Sequence, residues 1–277
     1  MAVPAEVRVQ IERQLAGLES VEGVRILYAV ESGSRAWGFA SADSDFDVRF
    51  IYVRPQPWYL AIDLETRRDV IERPLVDELD FSGWDLRKAL GLFGRSNPPL
   101  LEWLDSPVVY VDRLRFAERL RTLIPAYFSP ISVMHHYLRM ARGNFRSDLQ
   151  RERVRLKKCF YVLRPLLAAR WVEQGRGPVP MEFARLLEAV VDAPTLVEAI
   201  HSLVARKLAS TELDDGPPVP VLQEFVTAEL ERLEAIAGSL AKGRGEPEPL
   251  NELFREYLER AWADEQAASR GVDRPTE

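Results

Sequence analysis

Residues 31–53 read ESGSRAWGFASADSDFDVRFIYV, and their second half alternates: Phe46, Val48, Phe50 and Tyr52 on one side, Asp45, Asp47 and Arg49 on the other. A side-chain period of two predicts a β-strand over 46–53 with one apolar and one charged face. Asp45 and Asp47 then share a face at roughly 6–7 Å along the backbone. Two carboxylates so placed repel unless a cation sits between them, and hard divalent ions such as Mg2+ prefer oxygen ligands of this kind. Upstream, an apolar strand over 24–30 ends at Gly33-Ser34, which opens a short turn or helix over 35–39. Backbone N–H groups at such a turn, with the Ser34 hydroxyl, form a cradle for phosphate oxygens. The plainer reading makes Asp43, Ser44 and Asp45 turn formers and Asp47 a surface residue. The order of the pieces favours a site for metal-bound triphosphate: apolar strand, Gly-Ser turn, ten residues, then Asp-x-Asp opening a second strand.

Around that segment the chain has two textures. The first 112 residues mix a helix over 6–18 with strands, including further strand-like pieces over 68–72, 75–81 and 107–111 and helices over 84–93 and 99–104. Beyond residue 112 apolar spacings of three and four take over, interrupted by breakers at 175–180, 216–220 and 243–249. The fold class expected is α+β, a small mixed-sheet domain over 1–112 followed by an all-helical domain over 113–277 that completes a cleft. The last dozen residues are expected to fray.

Composition narrows the class. Of 277 residues 47% are hydrophobic and 29% charged, which excludes a disordered or low-complexity chain. No apolar stretch approaches the roughly 20 residues of a membrane helix. The single cysteine, Cys159, has no internal disulfide partner, so a reduced, cytoplasmic setting is expected. The net charge of -6 hides a strong asymmetry: residues 135–170 carry ten Lys/Arg against Asp148 and Glu152, whereas from Glu212 onward 16 acids face 7 bases. A local polyanion site on an acidic body follows, or else a solvated helical face.

The strings GSRAWGFASADSDFDVRFIYVR, LDFSGWDLRKAL, SNPPLLEWLDSPVVY and RVRLKKCFYVLRPLLAARWV resemble the nucleotidyltransferases of the DNA polymerase β superfamily. Within it they are similar to the RlaP-like branch associated with RNA repair, over roughly residues 24–180. The resemblance implies a third carboxylate on a later strand. In LVDELDFSGWD the alternation puts Glu78 and Asp80 opposite Leu79 and Phe81, so Asp80 is the choice and Glu78 the runner-up. Asp85 is read instead as part of a Ser-x-x-Asp capping box opening the 84–93 helix.

By resemblance, Asp45, Asp47 and Asp80 are catalytic carboxylates holding two Mg2+ ions, with Mn2+ as a substitute. Gly33 and Ser34 bind the nucleotide, and a lysine of a helix over 153–171, Lys157 or Lys158, reaches its phosphates; Arg35, next to the Gly-Ser turn, reads equally as a further phosphate contact or as a surface arginine. Only one of those two can face the cleft, since neighbours on a helix diverge by about 100°. Arg151, Arg155 and Lys158 share helical spacing, as do Lys157, Tyr161 and Arg164. Tyr137 and Tyr161 are candidates to stack on a base. His135-His136 read as one packed and one solvated residue, Cys159 as buried, and Trp58, Trp84, Trp103 and Trp171 as packing. The expected reaction moves a nucleoside monophosphate from an NTP, ATP among them, to an acceptor hydroxyl, RNA being preferred because the basic run exceeds what one triphosphate needs. Transfer to protein or a small molecule, or a nucleotide- or RNA-binding module without turnover, stay open.

Overall fold

The computed structural model describes residues 3–209, 215–243 and 245–265. The first half runs α1 (Ala5–Glu22), β1 (Arg25–Glu31), α2 (Gly33–Trp37), β2 (Phe46–Val53), α3 (Gln56–Tyr59), β3 (Val70–Glu72), β4 (Leu79–Asp85), α4 (Leu86–Gly94), α5 (Pro98–Leu104) and β5 (Val109–Asp112). The second contains α6 (Phe116–Arg121), α7 (Ile124–Tyr127), α8 (Pro130–Asn144), β6 (Val154–Arg155), α9 (Leu156–Glu173), α10 (Phe183–Val190), α11 (Pro194–Ala209), β7 (Asp215–Gly216), α12 (Pro220–Ile236) and α13 (Pro247–Ala261). The fold is α+β.

Five strands form one mixed sheet in the order β3-β4-β2-β1-β5. β2 lies antiparallel to β1 and parallel to β4, with Asp47 opposite Asp80 and Tyr52 opposite Asp85. The alternation of β2 divides its side chains as the sequence predicts. Phe46, Val48, Phe50 and Tyr52 pack with Ile11, Leu15 and Leu18 of α1, whereas Ile51 and Val53 join Leu86, Leu90 and the helical half. Asp47 and Arg49 therefore point toward the helices.

Several local expectations change. The 75–81 stretch is not one strand: Asp77 and Glu78 have positive φ, making a turn, and β4 runs from Leu79 through Asp85. Ser82 is thus a strand residue rather than a helix cap. Asp85 caps α4 instead, its carboxylate accepting from the Arg87 N–H at 2.8 Å. Parallel pairing with β2 overrides the local Ser-x-x-Asp signal, and Phe50 packs so close to Gly83 that a Cβ there would lie 2.1 Å from its ring. α9 begins at Leu156, so Arg151 and Arg155 precede it and share no helical face with Lys158. The second half is not wholly helical, because β6 and β7 pair. The fraying expected of the last dozen residues lies outside the described ones.

One apolar core spans both halves. The Phe39 ring, just after α2, stacks on Phe160 of α9 at 4.4 Å and meets Phe183 of α10 edge-on at 5.4 Å. Arg164 of α9 is buried, donates to Glu102 at 2.7 Å and lies over Trp37 at 4.8 Å. Tyr137 donates to the same Glu102 oxygen at 2.5 Å, so this buried ion pair is closed by a third partner. Residue 112 marks a change of secondary structure across which packing continues.

Candidate active site

Parallel pairing of β2 with β4 brings Asp47 and Asp80 side by side at the start of both strands. Arg49, two residues on and on the same face, donates through one nitrogen, Nη2, to Asp47 Oδ1 and Asp80 Oδ2, each at 2.7 Å. Burial pushes the Asp47 carboxyl above its ordinary range; Arg49 pulls it down, and the negative charges of Asp80 and Asp45 push it up. Asp47 thus feels the charge of both other sequence-predicted acids. Glu78, the runner-up, sits in the left-handed turn before β4, its carbonyl accepting from the Phe46 N–H at 2.7 Å. Among the described residues no group of three or more His, Cys, Asp or Glu side chains closes into a ready-made metal cage.

Gly33 is needed twice over. Its φ is +57°, a conformation that costs an L-residue roughly 1–2 kcal/mol, and a Cβ there would lie 1.9 Å from Asp47 Oδ2. The Asp47 carboxylate therefore rests against the bare glycine backbone, and the Ser32 N–H donates to the Asp47 carbonyl at 2.8 Å. Beneath it lies a residue sequence reasoning missed. Glu31 is fully buried at the end of β1. One of its oxygens accepts from the Asp47 N–H at 2.9 Å and the other from the Tyr110 hydroxyl at 2.5 Å. Burial pushes this carboxyl up to about 7, against both hydrogen bonds. An acid immediately before Ser-Gly-Ser, closing an apolar strand, was the available signal.

Gly33, Ser34, Asp45 and Asp47 open onto a cavity of about 210 Å³, walled on the far side by Lys157, Phe160 and Tyr161 of α9 and by Lys207 of α11. The choice between the two lysines is thereby made by placement: Lys157 lines the cavity, while Lys158 pairs with Asp148 at 3.3 Å and lies over the Tyr161 ring. Lys207 was not anticipated. It is buried and donates to Ser41 Oγ at 2.6 Å, across 166 positions of sequence. Arg35, expected at the phosphates, braces the loop instead: it donates to the carbonyls of Ser44 and Asp45 and stacks on Phe46 at 3.7 Å. Trp37 and Tyr161 form an aromatic wall, edge to face at 6.2 Å; Tyr137 is buried elsewhere, on Glu102.

Much of the basic run is neutralised. Arg142 pairs with Glu234, Lys158 with Asp148, Arg164 with Glu102 and Arg170 with Glu229, two of these acids coming from the acidic C-terminal half. Arg139, Arg146, Arg151 and Arg155 are exposed. His136 is half-buried against Tyr137 and His135 exposed. Burial raises the Cys159 thiol to about 11, which leaves it a poor nucleophile. Trp84 and Trp103 pack on each other at 4.1 Å. No described helix is long and apolar enough to cross a membrane.

Residues 7–256 match the family described as RlaP, the RNA repair pathway DNA polymerase beta family. The chain is 46% identical over 252 residues to the uncharacterized protein YcgL of Bacillus subtilis (strain 168), covering 91% of this chain and 96% of that one. A solved nucleotidyltransferase-like protein from Exiguobacterium sibiricum is 13% identical with a TM-score of 0.29, over 96% of this chain and 82% of that one.

Proposed function

From the premise that this chain belongs to the RNA repair pathway DNA polymerase beta family, we propose that it transfers a nucleoside monophosphate from an NTP to an acceptor hydroxyl on RNA, releasing pyrophosphate. The observation that carries this reading is the pairing of Asp47 with Asp80 across β2 and β4, with Asp45 and Asp47, though not Asp80, lining a cavity that Lys157 and Lys207 of the helical half wall on the far side. Phosphoryl and nucleotidyl transfer asks a protein chiefly for positioning and charge neutralisation, and that is what these residues offer.

The donor set suits the ion implied by the family. Asp45, Asp47 and Asp80 supply only carboxylate oxygens, the donor type that hard divalent ions prefer. They would hold Mg2+ ions, or Mn2+ in their place, which neutralise a triphosphate and lower the pKa of an acceptor hydroxyl. Glu31 and Gly33 fix where Asp47 stands. Lys157 and Lys207 receive the negative charge of the outer phosphates, and Gly33-Ser34 forms the floor under them. Tyr161 and Trp37 offer an apolar wall for the base.

Incubating the protein with each α-labelled NTP, Mg2+ and total cellular RNA and protein tests the reading. Label is expected to enter RNA with the native chain and to fall at least about 100-fold with Asp47→Ala. Equal labelling by both removes the catalytic assignment, and label in protein replaces RNA as the acceptor.

A further inference from the structure

Arg49 stands where charge is most contested. A single guanidinium nitrogen bridges Asp47 Oδ1 and Asp80 Oδ2, while Nη1 donates to the Asp80 carbonyl at 3.0 Å and to the Val48 carbonyl at 3.3 Å. The side chain is only 19% exposed, so solvent screens it weakly. The remaining Asp47 oxygen, Oδ2, is turned to the Gly33 backbone. An oxygen that accepts a hydrogen bond from a guanidinium nitrogen at 2.7 Å has that approach closed to an ion needing contact at roughly 2.0–2.1 Å. Arginine, unlike lysine, cannot relieve the conflict by losing its proton. It can only move.

We propose that Arg49 is a built-in counter-ion that holds the Asp47–Asp80 pair together without metal and competes with a divalent cation for it. Loading an ion on Asp80 and releasing the guanidinium are then one event. This rests on the reading that Asp45, Asp47 and Asp80 hold the ion. It also accounts for two acids facing one another at the start of adjacent parallel strands.

The test is Mn2+ binding to the full chain without nucleotide, followed by the loss of the free-ion electron paramagnetic resonance signal, for the native chain and Arg49→Met. The variant is expected to bind Mn2+ at least about tenfold more tightly, to melt earlier without metal, and to gain more in Tm when Mn2+ is added. A purely structural arginine would lower Tm without tightening the ion. Arg49→Gln, which keeps a donor for the two carbonyls, carries the same expectation if the methionine variant does not fold. Equal or weaker binding by a folded variant overturns the competition and leaves labelled transfer standing. No binding by either native chain or variant overturns the metal-holding reading, and this inference with it.

Discussion

The β2–β4 pair has an acid at each end, and the two ends treat it oppositely. At the start, Asp47 and Asp80 face each other, partly exposed, held by one shared arginine beside an open cavity. At the finish, Asp85 is fully buried and its needs are met: the Tyr59 hydroxyl donates at 2.7 Å and the Arg87 N–H at 2.8 Å. The Asp47 and Asp85 carboxyls are each pushed up by burial, so perturbation alone does not separate a working acid from a structural one. What separates them is unfinished business: like charges left facing one another at one end, complete hydrogen bonding at the other.

The sharpest way to break this contrast is Gly33→Ala. It forces a Cβ into the Asp47 carboxylate on a backbone with φ near +57°, and should destabilise the fold by about 2 kcal/mol or more while abolishing nucleotide transfer. Chemical denaturation and the label assay read both; a variant with native activity would separate Asp47 from that glycine.

Asp85→Asn tests the finished end. Burial raises the native carboxyl to about 6, so the folded chain binds its proton more tightly than the unfolded chain does. Stability is therefore greatest below the ordinary aspartate range and falls as pH rises from about 4 toward 6, by about 2–3 kcal/mol from this group. Asparagine keeps an oxygen for the cap and removes that slope. Denaturant midpoints across pH 4–7 should flatten in the variant with transfer activity at pH 7.5 retained; an unchanged slope would relocate the titration.

The smallest effect sharpens the open end. Lys157→Ala, in the cavity wall, should raise the KM for NTP about tenfold, whereas Lys158→Ala, half-buried on Asp148 outside the cavity lining, should change it less than about threefold. Equal effects from the two would dissolve the distinction drawn by their placement.

What could be read from the residues divides along the same physical line. β2 was legible to its boundaries because period-two alternation is a local property; a third acid was sought only because of the family resemblance, and alternation with Leu79 and Phe81 then gave the face of Asp80. β4 was misplaced because Ser82-Gly83-Trp84-Asp85 satisfies a helix-start signal that only pairing with a distant strand can overrule. Glu31 closes an apolar run just before Ser32-Gly33-Ser34, but its partners Tyr110 and the Asp47 N–H come from strands that local alternation does not place beside it. Lys207 had no local mark at all, since its reach to Ser41 depends on how α11 packs. Arg49 was seen on the correct face, but the carboxylate it would share depended on strand register.

The stack of Phe39 on Phe160, closed edge-on by Phe183, has a bearing on how the enzyme chooses. Prising the sheet away from α9 would strip those rings from one another and wet them, at roughly 25 cal/mol for every Å² uncovered. On the proposed reading, the gap between the strand acids and the lysines opposite would work as a gauge of set width, not as a jaw. Discrimination between substrates falls to fit within a preset space, and swapping one ring for a smaller one should loosen the choice of nucleotide before it slows the chemistry.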